Sequence, residues 1–216
     1  MRKPKVRELG EAVRALIGGP YTLNFPKEPI QPPESFRGKP AYQDEDCVGC
    51  GACAEVCPAS AITVTDLADS HPPQRRLVLR LDRCIFCGQC ELNCTVRIQS
   101  EKEGNGKTGI HLTQEFDLAT FDRSTATVGI EMDLVRCEQC GEPVTTRRHL
   151  QLVTDLVGPG SYTNPTLMLA REEALGLTRF QEPLYAEVSE RGDMMKVLCP
   201  RCRRNAVLRE TIGSGD

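Results

Sequence analysis

Two cysteine runs have the spacing to do chemistry. The first reads Cys47-Val-Gly-Cys50-Gly-Ala-Cys53-Ala-Glu-Val-Cys57-Pro58, and the second Cys84-Ile-Phe-Cys87-Gly-Gln-Cys90-Glu-Leu-Asn-Cys94-Thr95. Each follows C-x2-C-x2-C-x3-C, a spacing that suits a pair of [4Fe–4S] cubanes. A tight loop turns three thiolates onto one cluster, and the helical turn after it carries the fourth sulfur to the neighbouring cluster. The spacing therefore predicts one cluster on Cys47, Cys50, Cys53 and Cys94, and another on Cys84, Cys87, Cys90 and Cys57. Zinc fits these runs poorly, since zinc sites usually join two two-cysteine knuckles. A disulfide framework needs an oxidising compartment, and no apolar leader-like stretch precedes the first cysteine.

The other four cysteines do have the paired-knuckle form. An alternating stretch, Val128, Ile130, Met132 and Leu134, leads into Cys137-Glu-Gln-Cys140-Gly141, and Cys199-Pro-Arg-Cys202 lies near the end of the chain. The four thiolates are expected to close one tetrahedral site of a zinc-ribbon or rubredoxin-like module, with a helix from Arg148 to Leu156 between its halves. Structural Zn2+ is the expected occupant, and a single rubredoxin-type iron is the alternative with the same ligands. Arg147, Arg148, Arg201, Arg203 and Arg204 near these knuckles read as a basic solvated or partner-facing surface. A formal net charge of -3 argues against nucleic acid as a partner. His71, His111 and His149 lack matching ligands, and no nucleophile–base set or phosphate-cradling loop occurs, so no catalysis by this chain alone is expected.

The elements that must position these cysteines follow from the intervening sequence. At 216 residues, without tryptophan and with few aromatics, the core must be modest, and metal centres are expected to add stability. The twelve cysteines indicate a reducing compartment. No apolar run is long enough to span a bilayer. The fold class is α+β: a ferredoxin-like dicluster domain with a pseudo-two-fold repeat, preceded by an amphipathic helix and an extended arm. Three segments are expected. Residues 1–40 form the helix and the proline-rich docking arm, 41–120 the dicluster domain, and 121–216 the ribbon-like module with its helical insertion.

In the first segment, Val6, Leu9, Val13, Leu16 and Ile17 recur at helical spacing amid Arg2, Lys3, Lys5, Arg7 and Arg14, and Gly18-Gly19-Pro20 ends the helix. Such a helix suits an anionic membrane surface or a membrane subunit, or equally the protein's own core. The prolines between Tyr21 and Pro40 exclude helix and central strand. In the dicluster segment, Ile62 to Thr65 alternate as one strand, and Leu77, Leu79 and Leu81 as another. Ile62, Val64, Ile85 and Leu92 are expected to wall the clusters from water. Thr95 replaces the proline of the first run, and Val96 to Lys107 reads as an inserted surface loop before the strand Gly109 to Thr113.

With these residues laid out, the chain resembles the ferredoxin-type sixth subunit of formate hydrogenlyase in the membrane-bound group 4 [NiFe] hydrogenase family, itself related to chain I of NADH:quinone oxidoreductase. The resemblance rests on Pro29-Ile30, Phe36-Arg37-Gly38-Lys39-Pro40, both cysteine runs, Leu112-Thr-Gln-Glu-Phe-Asp-Leu-Ala119 and the paired tail cysteines. It implies an electron-relay subunit, not catalytic alone, in a complex on the cytoplasmic face of the inner membrane. Implied partners are small and large [NiFe] hydrogenase-like subunits, a membrane-arm subunit and an upstream iron–sulfur donor.

Overall fold

The computed structural model describes residues 6–19, 22–177 and 195–212, and the chain divides into two units, Met1–Phe36 and Arg37–Asp216. The first unit holds α1 (Val6–Gly18), whose apolar residues share one face and none of which is buried. Gly19 ends it in the left-handed region, its N–H donating to the Ala15 carbonyl at 3.1 Å. Residues 1–5, the start of the expected helix, lie outside the described residues.

The second unit runs β1 (Pro40–Tyr42), α2 (Ala52–Glu55), β2 (Ile62–Leu67), β3 (Gln74–Arg80), α3 (Gln89–Leu92), α4 (Thr95–Glu103), β4 (Ile110–Leu112), β5 (Thr127–Arg136), β6 (Pro143–Thr146), α5 (Arg147–Val157), α6 (Pro165–Ala174) and α7 (Pro200–Ile212). β1 pairs antiparallel with β4. Pro40 is tolerated as the first residue of a strand, where its missing N–H breaks no ladder. The pairing extends upstream: Gly38 N–H donates to the Thr113 carbonyl and Lys39 N–H to that of Glu115, both at 2.9 Å. A Cβ on Gly38 would lie 2.5 Å from the Glu115 carbonyl oxygen, so this approach requires glycine. The arm thus ends by zipping onto the segment that follows the second cysteine run.

The other sheet is antiparallel in the order β2-β3-β5-β6. β3 is central, and its alternating Leu77 and Leu79 are each 1% exposed. Each such burial contributes roughly 1.5–3 kcal/mol. Ile62, Ile110, Ile130 and Met132 complete this core with Cys47, Cys53, Cys90 and Cys94. β5, which leads to the tail cysteines, pairs with β3 along its length, so one sheet connects the dicluster region to the tail.

Two expectations are corrected. Of the four residues expected to shield the clusters, Ile62 is buried and Ile85, though 62% exposed, lines the cavity at the second cysteine run, while Val64 and Leu92 are 37% and 54% exposed and line neither cysteine cavity. β2 is an edge strand, so Val64 lacks a neighbour on one side. The expected loop after Cys94 is instead α4. Its Arg, Gln, Glu and Lys residues favour helix, Arg97 pairs with Glu101 one turn on at 2.9 Å, and Gly104 ends it at φ 71°. Being polar on nearly every side, α4 lacks the apolar periodicity by which helices are found. The turn around Asn105 is present, with Gly104 and Gly106 both left-handed. Among the described residues no helix is long and apolar enough to cross a membrane.

Candidate metal centres

Both cysteine runs fold into the same loop. Gly51 and Gly88, each just after the second cysteine of its run, take φ of 84° and 78° and cap α2 and α3. The residues just before that cysteine are also left-handed, Gly49 at 64° and Phe86 at 54°. A positive φ costs a non-glycine residue about 1–3 kcal/mol, so Phe86 is held there by its surroundings. At Gly49 the choice is forced: a Cβ would meet Met132 Sδ and Thr146 Cγ2 at 2.8 Å each, because β5 and β6 rest on this loop.

The loops line two small cavities of similar size. Cys47, Cys50, Cys53 and Cys94 line the first, with Tyr42, Thr95 and Ile110. Cys57, Cys84, Cys87 and Cys90 line the second, with Ile62, Leu79 and Leu112. Each cavity therefore gathers three cysteines from one run and one from the other. Backbone N–H groups aim at the sulfurs: Gly109 at Cys94 Sγ and Ala61 at Cys57 Sγ, both 3.3 Å, and Phe86 at Cys84 Sγ, 3.4 Å.

Two observations test whether an iron–sulfur cluster suits these cavities. Burial pushes the metal-free thiols of Cys47, Cys53 and Cys90 up to about 11, 12 and 11. Thiolates so placed need a cationic partner, which iron supplies. Tyr42 buries its hydroxyl in the first cavity without a hydrogen-bond partner. The Cys53 sulfur is close enough to perturb it electrostatically but does not meet it in hydrogen-bond geometry, and burial together with Cys53, Cys47 and Cys90 drives Tyr42 well above the usual tyrosine range. A sulfur-rich acceptor in the cavity would satisfy that donor. The donor set fits.

Sequence reading missed the polar groups around the first loop. Thr95 Oγ1 lies 3.2 Å from Cys50 Sγ. Arg75, gripped by Asp66 through two bonds of 2.6 and 2.9 Å, donates Nη1 to the Gly49 carbonyl at 3.2 Å. From the tail, the fully buried Thr146 donates to the Val48 carbonyl, and Arg148 donates to the carbonyls of Asp44 and, at 3.3 Å, Cys47. Of these only Thr95 left a signal, as the departure from the proline of the first run.

The four tail cysteines converge, with all Sγ atoms within 4.8 Å of one another. Cys137 and Cys140 sit where β5 turns into β6, and Gly141 closes the knuckle with its N–H on the Cys137 carbonyl at 2.9 Å. Cys199 precedes α7, with Pro200 at the first helical position where it needs no N–H. The first half is thus the hairpin expected of a ribbon, whereas the second opens a helix. Cys140 Sγ and Cys199 Sγ are 3.7 Å apart. Metal–sulfur bonds of about 2.3 Å give a tetrahedral edge of about 3.8 Å, so the spacing fits a four-coordinate metal. At Cys137 burial opposes ionisation, but N–H groups of Cys199, Cys140 and Gln139 outweigh it and lower the thiol, while burial and the three neighbouring sulfurs raise Cys202, so the four thiols share their protons as one set.

The 4Fe-4S dicluster domain family matches residues 46–98. Formate hydrogenlyase subunit 6 of Escherichia coli (strain K12) is 32% identical over 140 residues, 64% of this chain and 70% of that protein. NADH-quinone oxidoreductase subunit I 2 of Geobacter metallireducens is 32% identical over 129 residues, 57% of this chain and 90% of that one. Among solved structures, a chain of the membrane-bound sulfane sulfur reductase, an archaeal respiratory membrane complex, aligns at a TM-score of 0.38 and 24% identity, covering 58% of this chain and 61% of that chain.

Proposed function

Because the chain belongs to the family of dicluster iron–sulfur subunits that includes formate hydrogenlyase subunit 6 and NADH-quinone oxidoreductase subunit I, we propose that it relays electrons inside a membrane-bound respiratory complex of the group 4 [NiFe] hydrogenase or NADH:quinone oxidoreductase type. It is a 4Fe-4S electron-transfer subunit and is not catalytic alone. Bound [4Fe–4S] clusters supply one-electron chemistry. The chain's own residues supply the cage: eight thiolates, the N–H donors on their sulfurs, and the apolar floor of Leu77, Leu79 and Ile110.

The observation that carries the proposal is the segregation of the eight cysteines into two cavities of four, each mixed between the runs. It supports ligation of one cubane by Cys47, Cys50, Cys53 and Cys94 and of the other by Cys84, Cys87, Cys90 and Cys57. The tail site is assigned to structural Zn2+, because closed four-thiolate sites are a common zinc arrangement. Its role is to hold β6 and α5 against the first loop. In this reading residues 41–120 carry the relay, and residues 121–216 brace it. The subunit sits on the cytoplasmic face of the membrane, between an upstream iron–sulfur donor and hydrogenase-like subunits. The amphipathic α1 and the proline arm, residues 1–40, dock it against the membrane arm.

Anaerobic purification in mild detergent tests this place. The full chain should bring down hydrogenase-like or NADH:quinone oxidoreductase-like subunits, and a chain lacking residues 1–36, cut before the segment that pairs with β4, should keep both clusters but leave the complex. A full-length chain that loads its clusters yet purifies alone would mark a diffusible electron carrier instead.

A further inference from the structure

The two cubane sites are alike in ligands and unequal in surroundings. At the first, Thr95 Oγ1 lies 3.2 Å from Cys50 Sγ, and opposite a thiolate the hydroxyl is the donor. Arg75 and Arg148 donate to the carbonyls of Gly49 and Cys47 at 3.2 and 3.3 Å. Their positive charges also act on the sulfurs themselves, Arg75 on Cys50 and Arg148 on Cys47. The nine-residue α4 opens at Cys94, which places the positive end of its dipole at that ligand. At the second site the sulfurs of Cys57 and Cys84 are met by backbone N–H groups. Among the described residues, the guanidinium that donates to a backbone carbonyl of this site is that of exposed Arg37, 3.4 Å from the Cys87 carbonyl.

One-electron reduction takes a cluster from [4Fe–4S]2+ to [4Fe–4S]+; no bond forms or breaks, and the site gains one negative charge. Hydrogen bonds and cations that favour the added charge raise the reduction potential. We propose that Thr95, Arg75 and Arg148 set the first cluster above the second in potential, so that a single electron entering the pair comes to rest on the cluster of Cys47, Cys50, Cys53 and Cys94. They are positioning residues that act through the ligands. The inference rests on the crossed ligation proposed above. It also gives the tail a role in electron transfer: Arg148 reaches the Cys47 loop from α5, whose first turn follows the strand that the tail cysteines hold.

A potentiometric titration of the full chain with dithionite, followed by electron paramagnetic resonance, tests it. Wild-type protein should show two separate midpoints. Thr95→Val should disfavour reduction at the higher midpoint about tenfold, which is about 59 mV for a one-electron couple, and leave the lower one in place. Thr95→Ser should restore it. Arg148→Gln should move the same midpoint in the same direction, and Arg148→Lys less. If Thr95→Val moves the lower midpoint, or neither, while iron and sulfide stay at two cubanes per chain, the assignment is overturned. A failure of the cluster reading itself would look different: wild-type protein would hold less than two cubanes of iron and sulfide, and both proposals would fall.

Discussion

His149 joins the tail to the dicluster region through its neighbours: its Nδ1 meets Thr145 Oγ1 at 2.8 Å, and its ring feels the charge of Arg75. Burial first and then Arg75 hold it below the ordinary histidine value of about 6.5. The unfolded chain therefore takes up a proton before the folded one does. The stability His149 contributes is whole above about pH 6.5 and declines as pH falls through that value toward the lower folded one. Denaturant unfolding of wild-type protein and His149→Gln should show a stability gap that narrows between about pH 7.5 and 5.5. A gap that stays constant or widens on acidification would contradict the burial argument. The cysteines were legible in the sequence because each run positions its sulfurs within a dozen residues. The groups that act on those sulfurs were not, because Thr146 reaches Val48 and Arg148 reaches Cys47 across separations of 98 and 101 residues that no local pattern encodes.

Among the elements, those with strong apolar alternation were the readable ones: β3 with Leu77 and Leu79, β5 with Ile130, Met132 and Leu134, and α5 within one residue of its expected ends. α4 was missed because a polar helix leaves no apolar stripe, and β1 because a proline at its first residue masks a three-residue strand. The partner of β5 could not be read from its own sequence either, since alternation identifies a strand and not its neighbour. Through that pairing a metal held by the four tail cysteines, as proposed above, would prop the first loop by way of β5, β6 and α5. Stripping the tail metal from the full chain with a chelator should leave the iron–sulfur absorption in place while the higher of the two midpoints falls. Metal analysis of the released ion should return zinc. Loss of both cubanes along with the tail metal would show that the two parts fold as one obligate unit. Released iron with a reversible colour would identify a rubredoxin-type centre.

At the scale of the whole molecule, the proposed ligation builds the cage of each cubane from both halves of the repeat at once. In the proposed ligation, exchange of the fourth ligand ties the halves together, and neither cluster is completed by one run alone. The measurement that bears on this most directly compares the paramagnetic signals of Cys57→Ser, Cys84→Ser and Cys50→Ser, prepared anaerobically and reduced with dithionite. Although Cys57 lies in the first run, Cys57→Ser should disturb the same signal as Cys84→Ser and leave the one that Cys50→Ser removes. If Cys57→Ser instead matches Cys50→Ser, each run ligates its own cluster, and the crossed arrangement on which this account rests is wrong.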